Sequence, residues 1–198
     1  MRQKLEKISG SLDMGYRQLI RNWHAKANEE DYFSKFVFEY LAFIAYLKTE
    51  RFPSTDPAKS VNDRTVIQQL KREQTIRTNY LNCVHNSPDL SSAWQQLKVE
   101  LDRSPLGNVT QNPDLVQQIK WWNCSHERLE QKTQGEERRI CGVLHSFDDW
   151  ENMVEFWYSI RNNLFHGGKD PEAHRDLLVV KNGFITLRGL MEILLLEF

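Results

Sequence analysis

The chain has 198 residues, of which 40% are hydrophobic, 27% charged and 11% aromatic, enough for one domain with a real core and too bulky for disorder. Its formal net charge of −1 excludes a global field that would draw it onto nucleic acid or an anionic membrane, so any polyanion contact must be local. The N-terminus lacks the apolar core of a secretory signal, and the longest apolar run, Tyr40 to Leu47, is too short to span a bilayer. With Cys83, Cys124 and Cys141 making no disulfide framework, the expectation is a cytoplasmic protein with no membrane partner.

Taken in order, Leu12, Tyr16, Leu19, Ile20 and Trp23 recur at helical intervals and predict a first helix ending near Ala27. Asp31 to Arg51 is apolar nearly all round, as in a helix in the middle of a bundle, with Asp31 as its cap and Pro53 beyond its end. On that greasy cylinder Lys35 and Glu39 form a narrow polar line. They read either as an i,i+4 salt bridge or as a carboxylate, Glu39, reaching across the bundle. After a proline-containing loop from Phe52 to Asn62, a third helix is expected from Asp63 to about Cys83 on the outside of the bundle.

Residues 86–147 read as a helical insertion: a helix from Pro88 through Leu101, a loop, a second helix from Leu115 to about Leu129, and a polar connector broken by Gly135. Three couples, Cys83 with His85, Cys124 with His126 and Cys141 with His145, carry zinc-ligand residue types without the paired spacing of a ribbon or finger, and no metal is assigned. The next helix is the most strongly patterned of the chain. Trp150, Met153, Val154, Trp157, Ile160 and Leu164 mark its buried face, Asp148 and Asp149 suit its start, and Gly167 and Gly168 its end. A last helix is expected from Pro171 through the tail, with Gly183 and Gly189 as possible interruptions and the runs around Val179 and Ile185 as β-prone stretches.

At the end of the patterned helix the sequence runs Arg161-Asn162-Asn163-Leu164-Phe165-His166, followed by Gly167-Gly168-Lys169. At about 100° per residue Arg161 falls only about 40° from Trp157, inside the apolar stripe. A guanidinium cannot discharge at neutral pH, so that place calls for an anion beside it, with Glu39 a candidate partner from within the chain. His166 lies nearly opposite Arg161 on an ideal helix. The two converge only if the helix unwinds at the glycine pair or a second subunit supplies one of them.

An arginine and a histidine separated by four residues near the end of a bundle helix resemble the motif of the HEPN superfamily, and the trailing Gly167-Gly168-Lys169 is similar to its bacterial forms. The resemblance implies an all-α, HEPN-like helical bundle over residues 1–198. It further implies a metal-independent ribonuclease without cofactor, acting as a toxin or antiphage defence effector, with RNA as substrate and a homodimer forming a composite active site. In that chemistry His166 takes the ribose 2′-hydroxyl proton and returns one to the leaving 5′-oxygen. Arg161 stabilises the charge gathering on phosphorus, and Asn162 orients the imidazole or a phosphate oxygen. Asn163, Lys169 and Glu39 are the supporting residues. The superfamily also contains non-catalytic nucleotide-, RNA- or protein-binding modules, which is the alternative reading. An antitoxin or other regulatory partner is implied in general. The tyrosine that marks toxins silenced by an adenylylating antitoxin is replaced here by Gly168. Beyond the motif, Lys169, Arg175 and Arg188 read either as a local phosphate track or as a solvated face.

Overall fold

The computed structural model describes residues 15–28, 31–56, 60–106, 121–131, 137–166 and 169–196. Helix α1 covers 15–26, and α2 (Tyr32–Tyr46) continues into a π-helical turn, Leu47–Arg51. There follow α3 (Asp63–Arg72), α4 (Gln74–Asn86), α5 (Pro88–Arg103), an antiparallel strand pair β1 (Ser125–Gln131) and β2 (Glu137–Ile140), α6 (Trp150–Phe165) and α7 (His174–Leu195). The core is an all-α bundle in which α7 packs along α2 and α5, and α6 along α3 and α7. No described helix is long and apolar enough to cross a membrane.

Local chemistry sets most helix starts. The Asp31 carboxylate accepts from the amides of Phe33 and Ser34, Asn62 accepts from Thr65, and Ser87 accepts from Leu90 just ahead of Pro88, whose missing N–H costs nothing in a first turn. Asp149 behaves differently. It sits at the N-cap of α6 but makes no cap bond, because its Oδ2 accepts instead from the His145 amide at 2.8 Å and from Asn152 Nδ2 at 3.0 Å.

The single outer helix expected from Asp63 to Cys83 is two helices, broken at Glu73, whose ψ of 104° is extended. At the break the Leu70 carbonyl accepts from Glu73 N and from the indole of Trp150 at 3.2 Å, so the freed backbone group is satisfied by the core. The reorientation carries Tyr80 to the interior, where it is fully buried.

Trp157 of α6 is the hub of that interior. Its ring lies 5.6 Å from those of Tyr80 and Trp94 and 6.2 Å from those of Phe43 and Trp150, all edge-on or tilted as aromatic quadrupoles prefer. The polar tips are paired: Trp157 Nε1 donates to Thr186 Oγ1 at 3.0 Å, Trp94 Nε1 to the Tyr80 hydroxyl at 2.9 Å, and that hydroxyl to the Thr186 carbonyl at 2.8 Å. Burial thus costs these groups no unmet hydrogen bond.

Helix α7 runs unbroken through Gly183, Gly189 and the β-prone stretches. The glycines are contact points and not interruptions. A Cβ at 189 would meet Leu90 Cδ2 at 2.6 Å, and one at 183 would meet Ile160 Cδ1 at 2.9 Å and Phe36 at 3.3 Å. Only a hydrogen in place of a side chain lets α5, α6 and α2 approach α7 this closely.

The second half of the expected insertion differs from its sequence reading. Residues 125–129, assigned above to a helix, belong to β1, and residues 115–120 of that assignment lie outside the described ones. Cys124, just before β1, and Cys141, just after β2, meet at the base of the strand pair in a disulfide, against the expectation of none, and Cys83 is free. The cysteine sulfurs of two of the three zinc couples are thereby consumed, and no group of metal-ligating side chains occurs among the described residues. The base of the pair is fixed to α6 by Asn152, which is fully buried. Its Nδ2 donates to the carbonyls of Asn123 and Val143, and its Oδ1 accepts from Asn123 N at 2.7 Å.

Candidate functional site

Arg161 projects from the last turns of α6 into the seam with α2 and α3. Its side chain is 30% exposed, at the edge of the apolar stripe and not inside it. The guanidinium carbon lies 4.8 Å from the centre of the Phe165 ring and 5.9 Å from that of the Tyr40 ring, within cation–π reach of both. Nη1 donates to Asn162 Oδ1 at 2.9 Å, and Nη2 is 3.5 Å from Asp63 Oδ2.

Asp63 opens α3 and also takes Lys48 Nζ at 2.5 Å, so two cations share one carboxylate and the cluster carries an excess positive charge. The Tyr40 hydroxyl is buried and makes no hydrogen bond. Burial, reinforced by the Asp63 charge, pushes its phenol above the usual range and keeps it neutral.

Glu39 is not part of this cluster. It is fully buried with its Oε1 2.5 Å from His24 Nδ1 on α1, and its Oε2, without a hydrogen bond, lies 3.8 Å from Arg188 Nη1 on α7. Both sequence readings of Glu39 are therefore corrected: it bridges neither to Lys35 nor to Arg161. Residues 39 and 40 are adjacent on α2, and the about 100° between them turns Tyr40 to α6 and Glu39 to the α1–α7 side. Burial holds the Glu39 carboxyl above its ordinary range, although His24 pulls it down.

His166 is exposed and forms the C-cap of α6, with φ −97° and ψ 12°. Its amide still donates to the Asn162 carbonyl at 3.0 Å, so the helical turn from Arg161 to His166 is intact. The route by which unwinding would bring the imidazole to the arginine is closed within one chain. No bond joins these two side chains among the described residues. Asn162 and Asn163 are half-buried on the same turn.

Lys169 is sequestered: its side chain is 4% exposed and its Nζ is 2.5 Å from Asp176 Oδ1. Arg175 donates to Glu100 and to the Ser104 carbonyl, and Arg188 to Glu192, so all three cations of the sequence-based phosphate track are engaged with oxygen acceptors of the chain.

Beside Arg161 the far face of Phe165, 58% exposed, forms one wall of an apolar groove of about 300 Å³ lined by Phe33, Ser34, Val37, Phe38 and Leu164 as well. A guanidinium paired with Asn162 and Asp63, an exposed imidazole and an apolar recess therefore share the end of α6. No family model matches the chain, and neither a curated protein nor a solved structure does.

The sequence missed Asp63 and Tyr40 as neighbours of Arg161. Asp63 showed only as a helix opener, and nothing in local spacing tells which of the acidic residues a distant arginine will meet.

Proposed function

We propose that the protein is a metal-independent endoribonuclease of the HEPN type, acting as a homodimer whose active site is completed across the twofold axis. The observation that carries this reading is the placement of Arg161: a guanidinium oriented by two rings and Asn162, held only loosely by a shared carboxylate at 3.5 Å, and open enough to exchange that carboxylate for a phosphate. The intact turn up to His166 supports a composite arrangement, in which the imidazole of one chain serves the arginine of another. The RNA 2′-hydroxyl attacks the adjacent phosphorus, His166 removes its proton, and Arg161 stabilises the phosphorane oxygens. The 5′-oxygen then leaves with a proton from an imidazole, giving a 2′,3′-cyclic phosphate end. The groove beside Phe165 is of a size and polarity suited to a nucleobase. A toxin or antiphage role with a regulatory partner fits such an activity.

The non-catalytic reading is favoured by one feature, the internal carboxylate on Arg161, which suits a structural ion pair equally well. Incubating RNA in EDTA with the wild type and with His166→Ala separates the two. Cleavage to 2′,3′-cyclic phosphate ends, absent in the variant, is expected. Intact RNA with the wild-type dimer would leave the binding module as the better account.

A further inference from the structure

On the opposite side of α2 from Arg161, two lysines converge without a counter-charge. Lys35 Nζ lies 5.1 Å from the centre of the Tyr32 ring and Lys181 Nζ lies 5.4 Å from it, so the ammonium groups are within about 10.5 Å of each other, the sum of those distances. That limit is a little beyond the Debye length of about 8 Å at physiological salt, so their mutual repulsion is weak there and grows as salt is lowered. No ion pair to either lysine occurs among the described residues. The acids one turn from Lys35 are engaged elsewhere, Asp31 with the first amides of α2 and Glu39 with His24. One turn either side of Lys181 stand Leu177, Leu178, Phe184 and Ile185.

Lys35 also lies 5.8 Å from the ring of Phe184, which is buried and backs Tyr32 from the core side. Cations flanking a ring are an arrangement by which single-stranded nucleic acid is held without sequence readout, its phosphates on the charges and a base on the ring.

We infer that the α2–α7 seam around Tyr32, Lys35 and Lys181 is a docking track for single-stranded RNA, separate from the cleavage motif at the end of α6. It rests on the ribonuclease reading for the identity of the polyanion. Lys35 and Lys181 take consecutive phosphates, which removes their mutual repulsion, and Tyr32 lies between them as the surface for a base. An acidic protein surface is the competing occupant, disfavoured because it has no use for the ring between the charges.

The test is binding of a 2′-O-methylated single strand, which lacks the attacking hydroxyl and cannot be cleaved, measured by anisotropy across a salt series. The proteins are the wild type, Lys35→Gln/Lys181→Gln, the charge-conserving Lys35→Arg/Lys181→Arg, and Lys98→Gln as a control remote from the seam. With two phosphate contacts gone, the slope of log K against log salt should fall by about 1.4, and affinity by about tenfold or more at low salt. The arginine pair and the Lys98 variant should match the wild type, and circular dichroism should show all four folded. Unchanged slope and affinity in the glutamine pair overturn the track, even if the wild type cleaves RNA. A lysine-dependent slope in a protein that cleaves nothing keeps the track and removes the nuclease reading. Failure of the wild type to bind the strand at all overturns the track as well.

Discussion

Asp63 and Arg161 stand 3.5 Å apart, although 98 residues separate them and the first opens a helix that the second closes against. The pair is part-exposed, loosely spaced and shared with Lys48, which places it among ion pairs worth about 0.2–1 kcal/mol. If Arg161 receives phosphate as proposed, Asp63→Asn removes a competitor for the guanidinium at small cost in stability. RNA binding should tighten by about two- to fivefold, with the thermal midpoint little changed. On the ribonuclease reading, Arg161→Lys, which loses the planar fork that would grip a phosphate, should lower kcat/KM by about 10²-fold or more. Equal RNA affinity in wild type and Asp63→Asn would show that the carboxylate and the phosphate do not compete.

Tyr80→Phe deletes one oxygen from the core and strands the buried Trp94 Nε1, while the Thr186 carbonyl loses an extra donor but stays in the ladder of its own helix. One orphaned donor costs about 1–3 kcal/mol, so urea unfolding should show a loss of about that size with an unchanged m value. A loss below about 0.5 kcal/mol would mean the network contributes shape and not energy.

Two glycine substitutions should move stability in opposite directions. Gly15→Ala adds a methyl group where nothing lies within 4 Å and raises helix propensity, for a gain of up to about 1 kcal/mol. Gly189→Ala forces a methyl group onto Leu90 and should cost about 1–3 kcal/mol, relieved in part by Leu90→Ala in the same chain.

The fold was more legible than the site, and the reasons are physical. The face of α6 carried by Trp150, Met153, Trp157 and Ile160 is buried along its whole length, so its period survives in the sequence. The cap at Asp31 is equally local, and it was readable for that reason. The break at Glu73 was not, because what stabilises it is the indole of Trp150 taking the Leu70 carbonyl 80 residues away. The strand pair escaped because residues 125–140 have no apolar alternation, and their ends are fixed by a disulfide and the Asn152 amide. In the site, spacing picked out Arg161 and His166 only as candidates, and it gave Glu39 the wrong neighbour. One residue's difference in position on α2 decides which helix a side chain faces.

Acid should expose one specific pair. Burial tends to raise the Asp176 carboxyl, but the Lys169 hydrogen bond and the Asp170 amide outweigh it and hold it below its ordinary value of 3.8. A group depressed in the folded state stabilises the fold above its unfolded pKa and ceases to do so as pH falls through the folded one. The thermal midpoint of the wild type should thus exceed that of Asp176→Asn at pH 6, and the gap should close below pH 3.8. A gap that persists unchanged in strong acid would assign the effect to packing and not to charge.

Cysteine chemistry is checked by a thiol titration. The native protein should show one reactive thiol, from Cys83, and three after denaturation and reduction. Three thiols before reduction would place Cys124 and Cys141 unpaired and restore the reducing-compartment expectation.

The proposed composite active site is tested most directly by mixing Arg161→Ala and His166→Ala, each expected to be inactive alone, under conditions that exchange subunits. If each site takes its arginine from one chain and its imidazole from the other, half the dimers are mixed and each holds one intact site. RNA cleavage in EDTA should then return to about a quarter of the wild-type rate. A mixture as inactive as its components, with exchange verified, would contradict the composite site.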